Sequence, residues 1–150
     1  MDEQYAVDVF NTFYVDGKYK FAIDDKTSLL LGAQYYPQRS VGDAQIGSFS
    51  TWGAGVQADL AHGPLAVQLY YTQTGRGFDT QAPFGTHASY LSLMIADFNT
   101  AGEKGWGISA DVDFASLGAR GLTASATWFE SPSLRVIEVP LFIKNRVLRI

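Results

Sequence analysis

Asp111 and Asp113 stand two residues apart, and on an extended strand both carboxylates project to the same side. Such a pair is where general acid–base chemistry would start, but it also needs a nucleophile or an electrophilic partner, and the sequence supplies none. His62 sits beside Gly63-Pro64 and His87 in a long connection, without the i, i+4 or clustered spacing of a metal site. Serines are plentiful, yet no nucleophile-elbow motif or Ser–His pairing accompanies them. With no cysteine there is no thiolate, disulfide framework or Cys-based zinc site. The chain is therefore not expected to be an enzyme, and no catalytic residue, metal or cofactor is expected.

A different chemistry suits the polar residues that alternate with apolar ones. Lys18, Lys20, Gln57, Asp59, Gln68, Asp111 and Asp113 all fall on the polar phase of period-two stretches. Lining a water-filled passage, they would set a local potential for passing solutes; the competing role is mutual salt bridging and solvation of a wall. Arg39 and Arg76 lie where long connections meet strands, and folding inward they would constrict such a passage and favour anions or carboxylates. Ordinary exposed loop arginines are the commoner explanation.

The elements that must position these residues are strands. Trp52, Ala54, Val56, Ala58 and Leu60 interleave with Gly53, Gly55, Gln57 and Asp59, and after Ala61-His62-Gly63-Pro64 the phase resumes in Leu65, Val67, Leu69 and Tyr71. That is a hairpin. A second pairs Trp106, Ile108, Ala110, Val112 and Phe114 with Leu122, Ala124, Ala126 and Trp128, turning through 117–121. A third opens with Phe13, Val15, Tyr19, Phe21 and Ile23, turns at Asp24-Asp25-Lys26, and returns over 29–36.

Alternation alone fits a soluble sandwich or small ligand-binding barrel as well as a membrane barrel. Two features favour the membrane. Phe13, Trp52, Tyr71, Trp106, Phe114 and Trp128 stand at the ends of apolar faces whose middles are Ala, Val, Ile and Leu, as in a barrel with aromatic girdles at the lipid interfaces. The opposite faces carry Gly, Ser, Thr, Gln and Asp more than the Lys and Glu of a soluble sheet, and runs of about 10 residues match a tilted strand crossing the hydrocarbon. Charged residues make up only 17% of the chain, below the roughly 25% of ordinary soluble domains, so surface charge does not account for dispersal. The net charge of −4, with 11 scattered basic residues, leaves no footprint for nucleic acid. No run of ~18 apolar residues is present, which excludes a transmembrane helix but not spanning strands.

Connections alternate in length: tight at 24–26, 61–64 and 117–121, long over 37–50 and 75–104. Bacterial barrels put short turns in the periplasm and long loops outside. The apolar stretch 89–98 is read as loop structure folded inward, since counting it as a span would reverse the side of the last turn. Residues 1–131 form the barrel sector, and 132–150 an atypical tail, with Arg135, Lys144, Arg146 and Arg149, that has room for one extra strand or none. A partial barrel of about six to eight antiparallel strands cannot close around water, so partner strands from a longer chain or other copies are expected.

The wording of particular stretches is informative. Gly102-Glu103-Lys104-Gly105-Trp106, the run Asp111-Val112-Asp113-Phe114-Ala115-Ser116-Leu117-Gly118, and Gly121-Leu122-Thr123 resemble the late hairpin of OprD-family outer-membrane porins. Gly17-Lys18-Tyr19-Lys20, Gln34-Tyr35-Tyr36, and Tyr90-Leu91 through Asp97-Phe98 are similar to that family's C-terminal half. The resemblance covers about residues 5–130 and implies a monomeric or weakly trimeric barrel of about 18 strands in the bacterial outer membrane. It further implies passive diffusion of amino acids, carboxylates or similar small hydrophilic solutes past inward loops and a ladder of basic residues, with lipid as the surrounding partner. Two departures, the short length and an end at Leu148-Arg149-Ile150 in place of a terminal aromatic, lead us to expect part of a barrel; Met1-Asp2-Glu3-Gln4 likewise has no basic leader segment. A soluble ligand-binding β-barrel or sandwich stands as the alternative, and an outer-membrane hydrolase as a minor one.

Overall fold

The computed structural model describes residues 2–81, 89–91, 98–132, 135–138 and 141–143. The alternating stretches form one antiparallel sheet whose strands follow chain order: β1 (Asp2–Ala6), β2 (Phe10–Ala22), β3 (Thr27–Ser40), β4 (Ser50–His62), β5 (Leu65–Thr74), β6 (Lys104–Asp113), β7 (Leu122–Glu130) and β8 (Arg135–Glu138), with β9 (Leu141–Ile143) also paired to β7. All three expected hairpins are present. Strands β2, β3 and β4 run 13, 14 and 13 residues. A tilted span of the hydrocarbon needs about 9–11, so these three extend past it.

The turns are built from their own residues. Asp24 accepts hydrogen bonds from the Lys26 and Thr27 amides and the Thr27 hydroxyl, each 2.8 Å, which closes β2 onto β3. The same hydroxyl lies 2.8 Å from His62 Nδ1, tying this turn to the next. Gly63, at φ 54°, supplies the left-handed position of the β4–β5 turn that a side chain would strain. At the β6–β7 turn the strand ends one residue sooner than the alternation suggests. Asp113 Oδ1 caps a short 3-10 turn, Phe114–Leu117, by accepting the Ala115 amide at 2.8 Å, and so takes Phe114 out of the strand.

One feature, the first strand, differs from the expectation. Strand β1 adds to β2 ahead of the first expected hairpin through a turn at 7–9, where Asp8 has φ 55° and its carbonyl accepts the Gln45 amide at 3.0 Å. In the tail, β8 and β9 share one register: stepping the Glu130–Arg135 pairing along β7 to Ala124 arrives at Leu141. They are two pieces of a single strand line, flanking a stretch that contains Pro140, which has no amide hydrogen to donate.

No second sheet covers the first among the described residues. The apolar cluster that does form is small, Leu91, Phe98 and Phe129 with Tyr70 against it, and it lies on one face only. We call that face, on which Tyr90, Leu91 and Phe98 of the 75–103 connection rest, the inner face. The other is the outer face, and it leaves Tyr19 66% exposed along with Phe21, Leu31, Tyr35, Val56, Leu69 and Trp106. A soluble sandwich would bury those side chains, since each is worth about 1.5–3 kcal/mol when removed from water.

Candidate functional site

Antiparallel partners project to the same side, so the register defines rows that cross the sheet. Lys20, Leu30, Asp59, Gln68, Ser109 and Thr127 form one inner row, and Lys18, Gly32, Gln57, Tyr70, Gly107 and Phe129 form the next. Asp111 pairs with Ala66 and Ser125, and Asp113 with Thr123, on the same face nearer the short turns. The structure thus places Lys18, Lys20, Gln57, Asp59, Gln68, Asp111 and Asp113 on one face.

Several of these groups bond to neighbours on the same wall. Gln57 Nε2 donates to Asp59 at 3.1 Å, the Tyr70 hydroxyl to Gln68 at 2.6 Å, and the Ser125 hydroxyl to Asp111 at 2.5 Å. Ser109 and Thr127 hydroxyls meet at 2.9 Å. Each bond satisfies a polar group that a folded wall would otherwise strand. Asp111 and Asp113, the one pair with acid–base spacing, are thereby engaged structurally, one by Ser125 and the other as a turn cap.

The connection after β5 packs onto this wall and brings in residues that alternation does not reveal. The Tyr90 hydroxyl donates to the Asp16 carboxylate at 3.1 Å, and Lys18 Nζ stands 5.1 Å from the Tyr90 ring centre, with Lys18 also 3.9 Å from Asp16. Leu91 is fully buried (0% exposed) against the wall. Glycines make the seats: a Cβ on Gly105 would come within 2.9 Å of Leu91, and one on Gly107 within 2.3 Å of the Phe129 ring. Higher up, side chains of the wall grip the backbone of the connection. Gln38 both donates to the Gln81 carbonyl and accepts its amide, at 2.9 and 2.7 Å, while Thr51 donates to the Phe78 carbonyl at 2.7 Å and Thr74 to that of Phe98 at 3.3 Å. Strand β5 pairs directly with β6; of the stretch 89–98, residues 92–97 lie outside the described residues.

Two expected positions need correction. Arg39 is not in a loop reaching inward: it belongs to β3, between the inward Gln38 and Ser40, and faces outward beside Asn11 and Ser50. One residue of register decides this. Phe114 stands in the turn, as described above. Arg76 is exposed at the start of the 75–103 connection, alongside Gly102. Phe13, Trp52, Tyr71, Trp106 and Trp128 share the outer face, where Trp106 and Trp128 meet edge to face at 4.9 Å and Tyr35 lies 6.2 Å from Trp52. His62 is the exposed last residue of β4, and His87 lies outside the described residues. In the β2–β3 turn, the Lys26 amide first and the Thr27 hydroxyl second hold the Asp24 carboxyl below the usual carboxylate range.

Comparison with known proteins bears on this arrangement. The family model for the outer membrane porins of the OprD family matches residues 4–135, most of the chain. This chain belongs to the OprD porin family. Membership places it in the outer membrane of Gram-negative bacteria and accounts for a sheet with one bare apolar face. Porin D of Pseudomonas aeruginosa is 27% identical over 127 residues, a match covering 77% of this chain and 28% of Porin D. OccK9 (OpdG) of the same organism superposes with a TM-score of 0.84 at 18% identity, covering 97% of this chain and 41% of that one. OpdK, in its crystal structure with vanillate, gives 0.76 at 21%, covering 83% and 33%. The two structures share the fold. The chain spans between about a quarter and two fifths of the length of these relatives.

Proposed function

We propose that the chain forms a sector of a channel for passive, selective diffusion of small hydrophilic solutes such as amino acids or carboxylates, with the inner rows lining the passage. The observation that carries this reading is the segregation of the sheet's two faces: hydrogen-bonded polar rows with a connection seated on one, uncovered Trp, Tyr, Leu and Val on the other. In lipid each unpaired backbone group costs several kcal/mol, so the free edges of β1 and of the β8–β9 line take up further strands, from a longer chain or from other copies. Lys18, Lys20, Gln57, Asp59, Gln68, Asp111 and Asp113 then face water, and the 75–103 connection narrows the passage at Tyr90. Arg76, on that connection, adds a positive charge at its long-loop end. The carboxylate class is supported by the neighbour OpdK, which was crystallised with vanillate. The aromatic side chains of the outer face lie at the lipid interface. We read no catalysis into the wall, because its paired carboxylates already serve as an acceptor for Ser125 and as a turn cap.

The test is single-channel recording of the barrel completed by its remaining strands. Small carboxylates should pass, and replacing both Lys18 and Lys20 with Gln should shift ion selectivity towards cations, since rings and rows of fixed charge set that preference. Unchanged selectivity in a barrel that still conducts would remove these two lysines from the lining. A barrel that inserts with full β structure and passes no solute would overturn the channel reading.

A further inference from the structure

We propose that the outer face, at the rim of the long connections, carries a binding site for a phosphorylated glycolipid headgroup of the outer leaflet, with Arg39 as its cation. The proposal rests on the membrane reading above. Arg39 projects outward because its neighbour Gln38 is committed inward, to Thr12 at 2.7 Å and to Gln81. Its guanidinium is exposed and has no carboxylate within 4.0 Å among the described residues. It sits in a cleft of about 230 Å³ lined by Asn11, Phe13, Pro37, Gln38, Arg39 and Ser50.

The composition of the cleft selects the occupant. Guanidinium presents a planar fork of donors that matches two phosphate oxygens, and Ser50 adds a hydroxyl at the same level. Asn11 Nδ2 donates to the Glu3 carboxylate at 2.7 Å, so the asparagine is held in place at the edge of the cleft. Directly along the strands from this polar cluster lie Phe13, Pro37, Tyr35 and Trp52, a bare apolar surface suited to acyl chains. Charge above and rings below describe a lipid headgroup rather than a free anion, which would gain nothing from the apolar half.

Native mass spectrometry of the barrel completed by its remaining strands and folded in micelles tests this, using diphosphorylated lipid A and its dephosphorylated form as the probes. The phosphorylated lipid should be retained selectively, and Arg39→Gln should weaken that retention about fivefold, the worth of one basic side chain at an anionic surface, without affecting the dephosphorylated lipid. Arg39→Lys should recover part of it. Equal retention of the two lipids by the unaltered chain, or an unchanged phosphate preference in Arg39→Gln with its circular dichroism intact, would overturn the proposal alone. A barrel completed by its remaining strands that gains no β structure in micelles presents no outer face and would overturn this proposal and the channel reading together.

Discussion

Gly107 has no room for a side chain, because a Cβ there would meet the Phe129 ring at 2.3 Å and Leu91 at 3.1 Å. Gly107→Val should therefore destabilise the folded sheet by about 1–3 kcal/mol, the usual cost of overpacking a fitted contact, read as an earlier urea midpoint in micelles. An unchanged midpoint would mean that the ring is not seated there. Asp24 makes a different kind of claim. Its carboxyl is held below the ordinary range by hydrogen bonds that exist only in the folded turn. The unfolded chain binds that proton more tightly, so the turn's contribution is complete above the ordinary carboxylate range and is lost as pH falls through the folded value. Unfolding midpoints followed downward from about pH 5 should drop, and Asp24→Asn should lower the midpoint at neutral pH and flatten the acid limb. A variant with the same acid limb as the unaltered chain would show that Asp24 is not the group responsible.

At the scale of elements, docking of the 75–103 connection depends on a few contacts, chiefly Leu91 and Phe98 against Phe129 and the Tyr90–Asp16 bond. Leu91→Ala should release it, at a cost of about 2–5 kcal/mol for a buried leucine, and chymotrypsin should cut near Tyr90 faster while the strands stay intact. Equal cleavage rates would place the stability of the connection elsewhere. The hairpins and the sidedness of Gln57, Asp59, Gln68 and Asp111 were legible in the sequence because a strand's period is two and every second residue declares its face. Strand β1 was not, since Asp2–Ala6 is short and carries no alternation. Nor was the Tyr90–Asp16 contact, which joins residues 74 positions apart and leaves no local pattern. Arg39 shows the limit of reading a boundary: with β3 taken to end near Tyr36 it is a loop residue, whereas four more residues of strand turn it to the opposite face.

For the whole molecule, the account requires that water touch one face of the sheet and lipid the other. The chain's 3 tryptophans make that requirement measurable, because Trp52, Trp106 and Trp128 all lie on the outer face close to the long-connection ends of their strands. Aromatic side chains gather at such positions because their rings are apolar and their N–H groups seek the interface. The most direct measurement is quenching of tryptophan fluorescence in vesicles by lipids brominated at defined acyl depths, with an aqueous quencher in parallel. Strong quenching by bromines near the headgroups, weaker quenching by those at mid-bilayer and little by the aqueous quencher is the predicted result. Efficient aqueous quenching with no effect of bromine at any depth would contradict it, since the tryptophan face would then not be the one in contact with lipid.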